Sequence, residues 1–163
     1  MKWRNLVFSL TALLVIVADQ FTKIWIRSNL APGEVIFKLG FLRIIRIHNT
    51  GAAFGLFQGW SSALIVVGLL GIVAILAYAI FFYRQVSPLN DRLVMLALGL
   101  ILGGTVGNLA DRLNPALGGV TDFISVGIWP SFNVADAAIV TGIIIFTYSV
   151  MVLARAKKTD LPV

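Results

Sequence analysis

The chain has no cysteine and only one histidine, His48, among its 163 residues. The first absence excludes disulfides, thiolate metal sites and cysteine nucleophiles. The second excludes a metal centre built on several imidazoles. Charge is scarce too. Asp, Glu, Lys and Arg make up 12% of the residues, against about 25% in a soluble domain. Hydrophobic residues make up 59% and mean hydropathy is +0.95. Such a composition marks an integral membrane protein, and the length suits one domain, residues 1–163. The net charge of +6 does not point to nucleic acid, because the basic residues flank apolar runs and do not cluster on a soluble surface. No repeat or low-complexity tract is found.

Four apolar runs are candidate spans, at about 3–25, 61–83, 93–112 and 134–154; a span needs about 20 residues. The first run is the least plain. Its uncharged stretch, residues 5–18, covers only 14 positions, and Lys2 and Arg4 before it resemble the start of a signal peptide. Asp19-Gln20-Phe21 then follows where a small-x-small cleavage site would stand, so a retained helix carrying Asp19 and Lys23 near its outer end is expected.

Orientation follows from the Lys/Arg flanks. Lys2 and Arg4, Arg84 and Arg92, and Arg155, Lys157 and Lys158 would all lie on the cytoplasmic side, with both termini. Segments of about 27–60 and 113–132 would then be extracytoplasmic. Lys38, Arg43 and Arg46 run against the bias, but in a longer segment where the rule counts for less. The expected fold class is a mainly α membrane protein: four transmembrane helices, a small extracytoplasmic β-ribbon or sheet and a short interfacial helix. Residues 35–47, β-branched and aromatic after the Pro32-Gly33 turn, suit the ribbon. Residues 49–60, apolar with Gly51, Gly55 and Gly59, suit the interfacial or re-entrant piece. Residues 113–132, rich in Gly and Pro, read as an outer loop holding Asp122.

The polar groups carry the chemistry. A carboxylate at the centre of a membrane helix costs roughly 2.5–3.5 kcal/mol, so it faces protein or water. Asp19 and Lys23 stand at i, i+4. They read as an ion pair with Lys23 snorkelling to the interface, while Asp19, lying deeper, could instead brace an active site or bond backbone amides. Asn49-Thr50-Gly51-Ala52-Ala53-Phe54-Gly55 suits tight helix packing, or a place where a substrate backbone passes and Asn49 bonds it. In Gly107-Asn108-Leu109-Ala110-Asp111-Arg112, three polar groups (Asn108, Asp111 and Arg112) share part of one helix face. This reads as a polar helix end with Arg112 reaching headgroups, or as a site scaffold. The nearby glycines are no phosphate loop, since no Lys-Ser/Thr follows.

Asp122 alone reads as a turn residue or N-cap. Asn133 followed three residues later by Asp136 resembles a capping box at the head of the fourth span. The same spacing would aim both side chains at the bundle mouth. Four of the seven acids (Asp19, Asp111, Asp122 and Asp136) fall at one inferred level, which favours a shared site. Asp122 and Asp136, 14 residues apart, would share a proton and hold a water if they converged. These are the working parts of an aspartic protease. The alternative is a small proton- or cation-conducting transporter using the same acids, which would spread them through the membrane depth.

Five blocks occur in the order seen in the signal peptidase II family: Asp19-Gln20-Phe21-Thr22-Lys23, Asn49 to Gly55, Gly107 to Arg112, Val120-Thr121-Asp122-Phe123-Ile124 and Phe132-Asn133-Val134-Ala135-Asp136. Each is weak alone; together they resemble that family closely over nearly the whole chain. The resemblance implies a membrane aspartic protease of the bacterial cytoplasmic membrane, with its active site near the extracytoplasmic face. It would remove the signal peptide from lipid-modified prolipoproteins, cutting just before the diacylglyceryl-cysteine. The catalytic pair would be Asp122 and Asp136. Asp19, Asn49, Asn108, Arg112 and Asn133 would be supporting groups, and Lys23, Gly51 and Asp111 are added to them as candidate substrate-binding or supporting residues. The partners would be the prolipoprotein substrate and membrane lipids. No metal, organic cofactor or nucleic acid is implied, and no oligomer.

Overall fold

The computed structural model describes residues 2–51, 60–82 and 91–159. Four long helices dominate. Helix α1 runs Lys2–Asn29, α2 Ser61–Ala77, α3 Asp91–Leu113 and α4 Val134–Thr159. The apolar stretches Trp3–Asn29, Ser61–Phe81, Arg92–Leu113 and Val134–Val152 are each long and apolar enough to cross a membrane. At 1.5 Å per residue, about 20 residues match a hydrocarbon core of about 30 Å. The helices turn large apolar side chains outward, among them Leu13, Phe21, Val67 and Ile144. That is stable only where lipid is the solvent. Helix α1 outlasts its expected end near residue 25 by one turn, which brings Arg27 onto the same stripe as Asp19 and Lys23.

Helix α3 is central. It packs closely on α1 and α4, and α2 lies against it more loosely. The reason lies in its glycines. A Cβ at Gly99 or Gly103 would meet the backbone of α1 at Phe8 or Ala12, both at 2.7 Å, and one at Gly104 would meet the Ala135 carbonyl of α4. In lipid no hydrophobic drive pulls helices together, so close backbone approach through small residues holds the bundle. Helix α2 is apolar all round, none of its described residues is buried, and it continues as one π-helical turn, Tyr78–Phe82. The Tyr78 ring meets Phe146 of α4 edge-on at 5.8 Å.

At the other end sits a three-stranded antiparallel sheet: β1 Val35–Leu39, β2 Leu42–Asn49 and β3 Val120–Val126, in that order. The ribbon expected at 35–47 is β1 and β2, turning at Gly40 with φ +56°. The third strand corrects the reading of residues 113–132 as a loop. Val120-Thr121-Asp122-Phe123-Ile124-Ser125-Val126 pairs with β2 along its length, Ile47 opposite Asp122 and Leu42 opposite Val126. Its β-branched content and its bounding glycines, Gly118 and Gly127, both in the left-handed region, suit a strand. Phe123 packs on Ile26 and Leu30, fastening the sheet to the end of α1. Arg46 caps that end, donating to the carbonyls of Arg27 at 3.1 Å and Leu30 at 2.8 Å. The interfacial helix expected at 49–60, the end of the second span at residue 83 and Arg84 lie outside the described residues, apart from 49–51 and 60.

Candidate active site

The sheet and the heads of α1, α3 and α4 bring the polar blocks together. Helix α4 begins with Asn133 as its cap. The Asp136 N–H donates to Asn133 Oδ1 at 3.0 Å, and the Asn133 N–H donates to Asp136 Oδ2 at 3.1 Å. This is the reciprocal capping box the sequence suggested. It does more than close a helix. The Asn133 side-chain amide donates to Asp122 Oδ1 at 2.7 Å, and Asn108 Nδ2 donates to Asp136 Oδ1 at 2.7 Å. Asn49 Nδ2 reaches the second oxygen of Asp122 at 2.9 Å, and Asn49 Oδ1 accepts from the Gly51 N–H at 2.9 Å. Asp122 and Asp136 are thus joined through Asn133 in a single amide network.

Asp122 stands on β3, where neither a loop nor a helix cap accounts for it, and is 2% exposed. Burial, then the nearby charge of Asp136, push its carboxyl up to about 7, against the pull of its bonds to Asn49 and Asn133. It keeps a proton under conditions in which an ordinary aspartate has lost one.

Behind the pair lies a buried ionic layer. Lys23 Nζ contacts Asp19 Oδ2 at 2.8 Å and Asp111 Oδ2 at 3.3 Å, and donates to Asn108 Oδ1 at 2.9 Å. The reading of Lys23 as a snorkelling surface cation is therefore wrong: its side chain is 0% exposed. It stays inside because two carboxylates and an amide oxygen satisfy its three donors. Asp19 uses its other oxygen to accept from the Ala135 N–H at 3.0 Å, at the positive end of α4. This is the backbone-bracing role. Arg112 does not extend away from the protein. It donates to the Gly51 carbonyl at 3.0 Å and to the Asn108 carbonyl at 3.4 Å.

Three groups escaped the sequence reading. Arg27 pairs with Asp111 at 3.3 Å and donates to Thr121 Oγ1 at 3.1 Å. Thr121 N–H donates to Asp111 Oδ2 at 3.1 Å. Gln20 Nε2 bonds the Gly107 carbonyl at 3.0 Å. Arg27 was findable, since Asp19, Lys23 and Arg27 recur every fourth residue on one helix face. Gln20 carried no such signal. Among the described residues no three His, Cys, Asp or Glu side chains are grouped so as to hold a metal ion.

The pair opens onto a cavity of about 800 Å³. Its polar end is Asn49, Asn108, Arg112, Asp122 and Asp136; its apolar wall comes from α2, α3 and α4, with Leu64, Val67, Leu109, Ile139 and Val140. Val126, Trp129 and Phe132 close it from the sheet side. One end suits polar chemistry and the other an apolar chain or helix.

Residues 11–152 match the family model described as Signal peptidase (SPase) II. A lipoprotein signal peptidase of Dehalococcoides mccartyi is 49% identical over 142 residues, 86% of each chain. One from Moorella thermoacetica is 43% identical over 155 residues, covering 94% of this chain and 98% of the relative. Among solved structures, a bacterial membrane enzyme determined by the in meso method superposes with TM-score 0.80 at 27% identity, over 94% of this chain and 92% of that one. With four membrane-length helices and sequence kinship along most of its length, the chain belongs to the signal peptidase II family of peptidases.

Proposed function

We propose that this protein is a membrane aspartic endopeptidase that removes the signal peptide from diacylglyceryl-modified prolipoproteins, cutting just before the lipidated cysteine. The observation that carries the reading is the amide network joining Asp122 to Asp136 at the polar end of a cavity whose wall is apolar. One carboxyl is ionised and the other protonated. The ionised one takes a proton from a water as that water's oxygen bonds the scissile carbonyl carbon. The protonated one donates a hydrogen bond to the developing oxyanion. When the carbon–nitrogen bond breaks, the leaving amine takes up the proton drawn from the water. The apolar wall receives the signal-peptide helix, and the acyl chains stay in the bilayer beside the bundle.

The relatives, named lipoprotein signal peptidases, support this substrate class. The Lys/Arg flanks support an inner-membrane protein with both termini cytoplasmic and the pair near the extracytoplasmic face. A proton or cation path fits less well, because Asp19, Asp111, Asp122 and Asp136 gather at one end of the bundle. The test is incubation of the purified protein with a lipid-modified prolipoprotein and with its unmodified form, followed by mass analysis. The expected result is one cut before the lipidated cysteine and none in the unmodified substrate. Equal cutting of both, or a cut elsewhere, overturns the proposal.

A further inference from the structure

Two carboxyls can share one proton either way round, but here their surroundings differ. Each carboxyl accepts at both oxygens, Asp122 from the side-chain amides of Asn49 and Asn133, Asp136 from Asn108 Nδ2 and the Asn133 backbone N–H; but Asp136 is also the third residue of α4, at the positive end of the helix. Asp122 stands on a strand.

The arrangement depends on one amide. Asn108 presents its NH2 to Asp136. Turned by half a rotation it would present an oxygen, which repels a carboxylate and welcomes a carboxylic acid. Two donors oppose that rotation by occupying Asn108 Oδ1: Lys23 Nζ at 2.9 Å and Asn133 Nδ2 at 3.1 Å. Lys23 is the stricter of the two, because an ammonium has no acceptor. It is itself held by Asp19 of α1 and Asp111 of α3, and Arg27 shares Asp111. The Lys23 charge also reaches Asp122, more weakly than the hydrogen bonds from Asn49 and Asn133.

We infer that Lys23 is a positioning residue: by locking the Asn108 amide with its NH2 toward Asp136, it makes Asp136 the ionised general base and leaves the shared proton on Asp122. The inference rests on the proposed carboxyl dyad and assigns its two roles. In the reaction, Asp136 takes the water's proton and Asp122 donates to the carbonyl oxygen.

Carbon-13 NMR of carboxyl-labelled aspartates in the full-length wild-type protein, assigned through Asp122→Asn and Asp136→Asn, reads each group directly. Asp136 is expected to ionise at lower pH than Asp122; the reverse order overturns the inference. In Lys23→Gln, whose amide can also accept, the acid limb of the pH–rate profile and the Asp136 ionisation are expected to move up by about one unit or more, with kcat reduced and KM little changed. A profile that keeps its shape and is merely scaled down reveals a structural role and overturns the inference, as does a shift confined to Asp122. The Lys23 effect should vanish in an Asn108→Ala background, since it acts through that amide; an additive effect counts against the route. Should Lys23→Gln not fold, the same comparison is made in an Asp111→Asn background, which removes a stranded buried carboxylate. Failure of the dyad itself is read separately, as cleavage activity surviving in Asp122→Asn or Asp136→Asn.

Discussion

Asn133 and Asp136 exchange hydrogen bonds at the head of α4, N–H to Oδ2 at 3.1 Å in one direction and N–H to Oδ1 at 3.0 Å in the other. The amide left over on Asn133 bonds Asp122 at 2.7 Å. A helix cap and a carboxyl site were competing readings of the same five residues, and here the cap is what holds the two carboxyls in register.

Asn133→Ala and Asn133→Ser should separate the two duties. Loss of an N-cap costs about 1 kcal/mol, and the alanine variant should melt lower in detergent and lose cleavage. Serine restores the cap but is too short to replace the amide on Asp122. Thermal midpoint should recover while cleavage stays low. Recovery of both would mean that the Asn133–Asp122 bond is dispensable.

Replacing either carboxyl by its amide, in Asp122→Asn or Asp136→Asn, should leave a folded, membrane-inserted protein that does not cleave. Residual activity above about a tenth of wild type in a purified variant would remove that residue from the chemistry, since general acid–base groups contribute about 10²–10⁴-fold.

The raised Asp122 carboxyl also makes stability depend on pH. Its ordinary value is 3.8 and its folded value about 7, so between the two the folded state holds a proton that the unfolded chain has released. Stability from this group therefore falls as pH rises through that window and levels off above it. Asp122→Asn, neutral at every pH, should flatten the decline. Thermal midpoints of both proteins across the window test this; parallel curves would show that Asp122 does not titrate there.

Gly107 stands where α3 meets Asp19. A Cβ there would lie 2.5 Å from Asp19 Oδ2. Gly107→Ala should displace Asp19 from Lys23 and from the Ala135 N–H, lowering stability by about 1–3 kcal/mol and cleavage with it. Gly71→Ala on α2 is the control, since nothing lies within 4 Å of its would-be Cβ. Equal behaviour of the two variants would contradict the packing described.

Arg112→Lys keeps the charge but loses the fork that reaches two carbonyls at once, those of Gly51 and Asn108. The chain at Asn49–Gly51, which carries the Asn49 bond to Asp122, should be held less firmly. A fall in kcat/KM of about tenfold or more is expected. An unchanged value would assign Arg112 to charge alone.

Much of the fold was legible along the chain. The spans follow from run length and charge scarcity, the β1–β2 hairpin from β-branched residues after a Pro-Gly turn, and the capping box from the spacing of Asn133 and Asp136. These are local properties, each fixed within one or two turns of helix or strand. Strand β3 was hidden because Gly and Pro surround it, and a lone aspartate in such a setting reads as a turn. Its partner strand lies more than 70 residues away, and no local pattern announces such a pairing.

The sequence by itself determined that the chain lives in a membrane, that four of its seven acids gather near one end, and that Asn133 begins a helix. Only the tertiary structure decided that Lys23 is buried and not at the surface, that Asp19 caps a different helix from its own, and that Asp122 meets Asp136 through Asn133. The reason is physical. A buried charge is tolerable only with its partners in place, and those of Lys23 and Asp122 come from helices and strands brought together by glycine contacts on α3 and by the sheet.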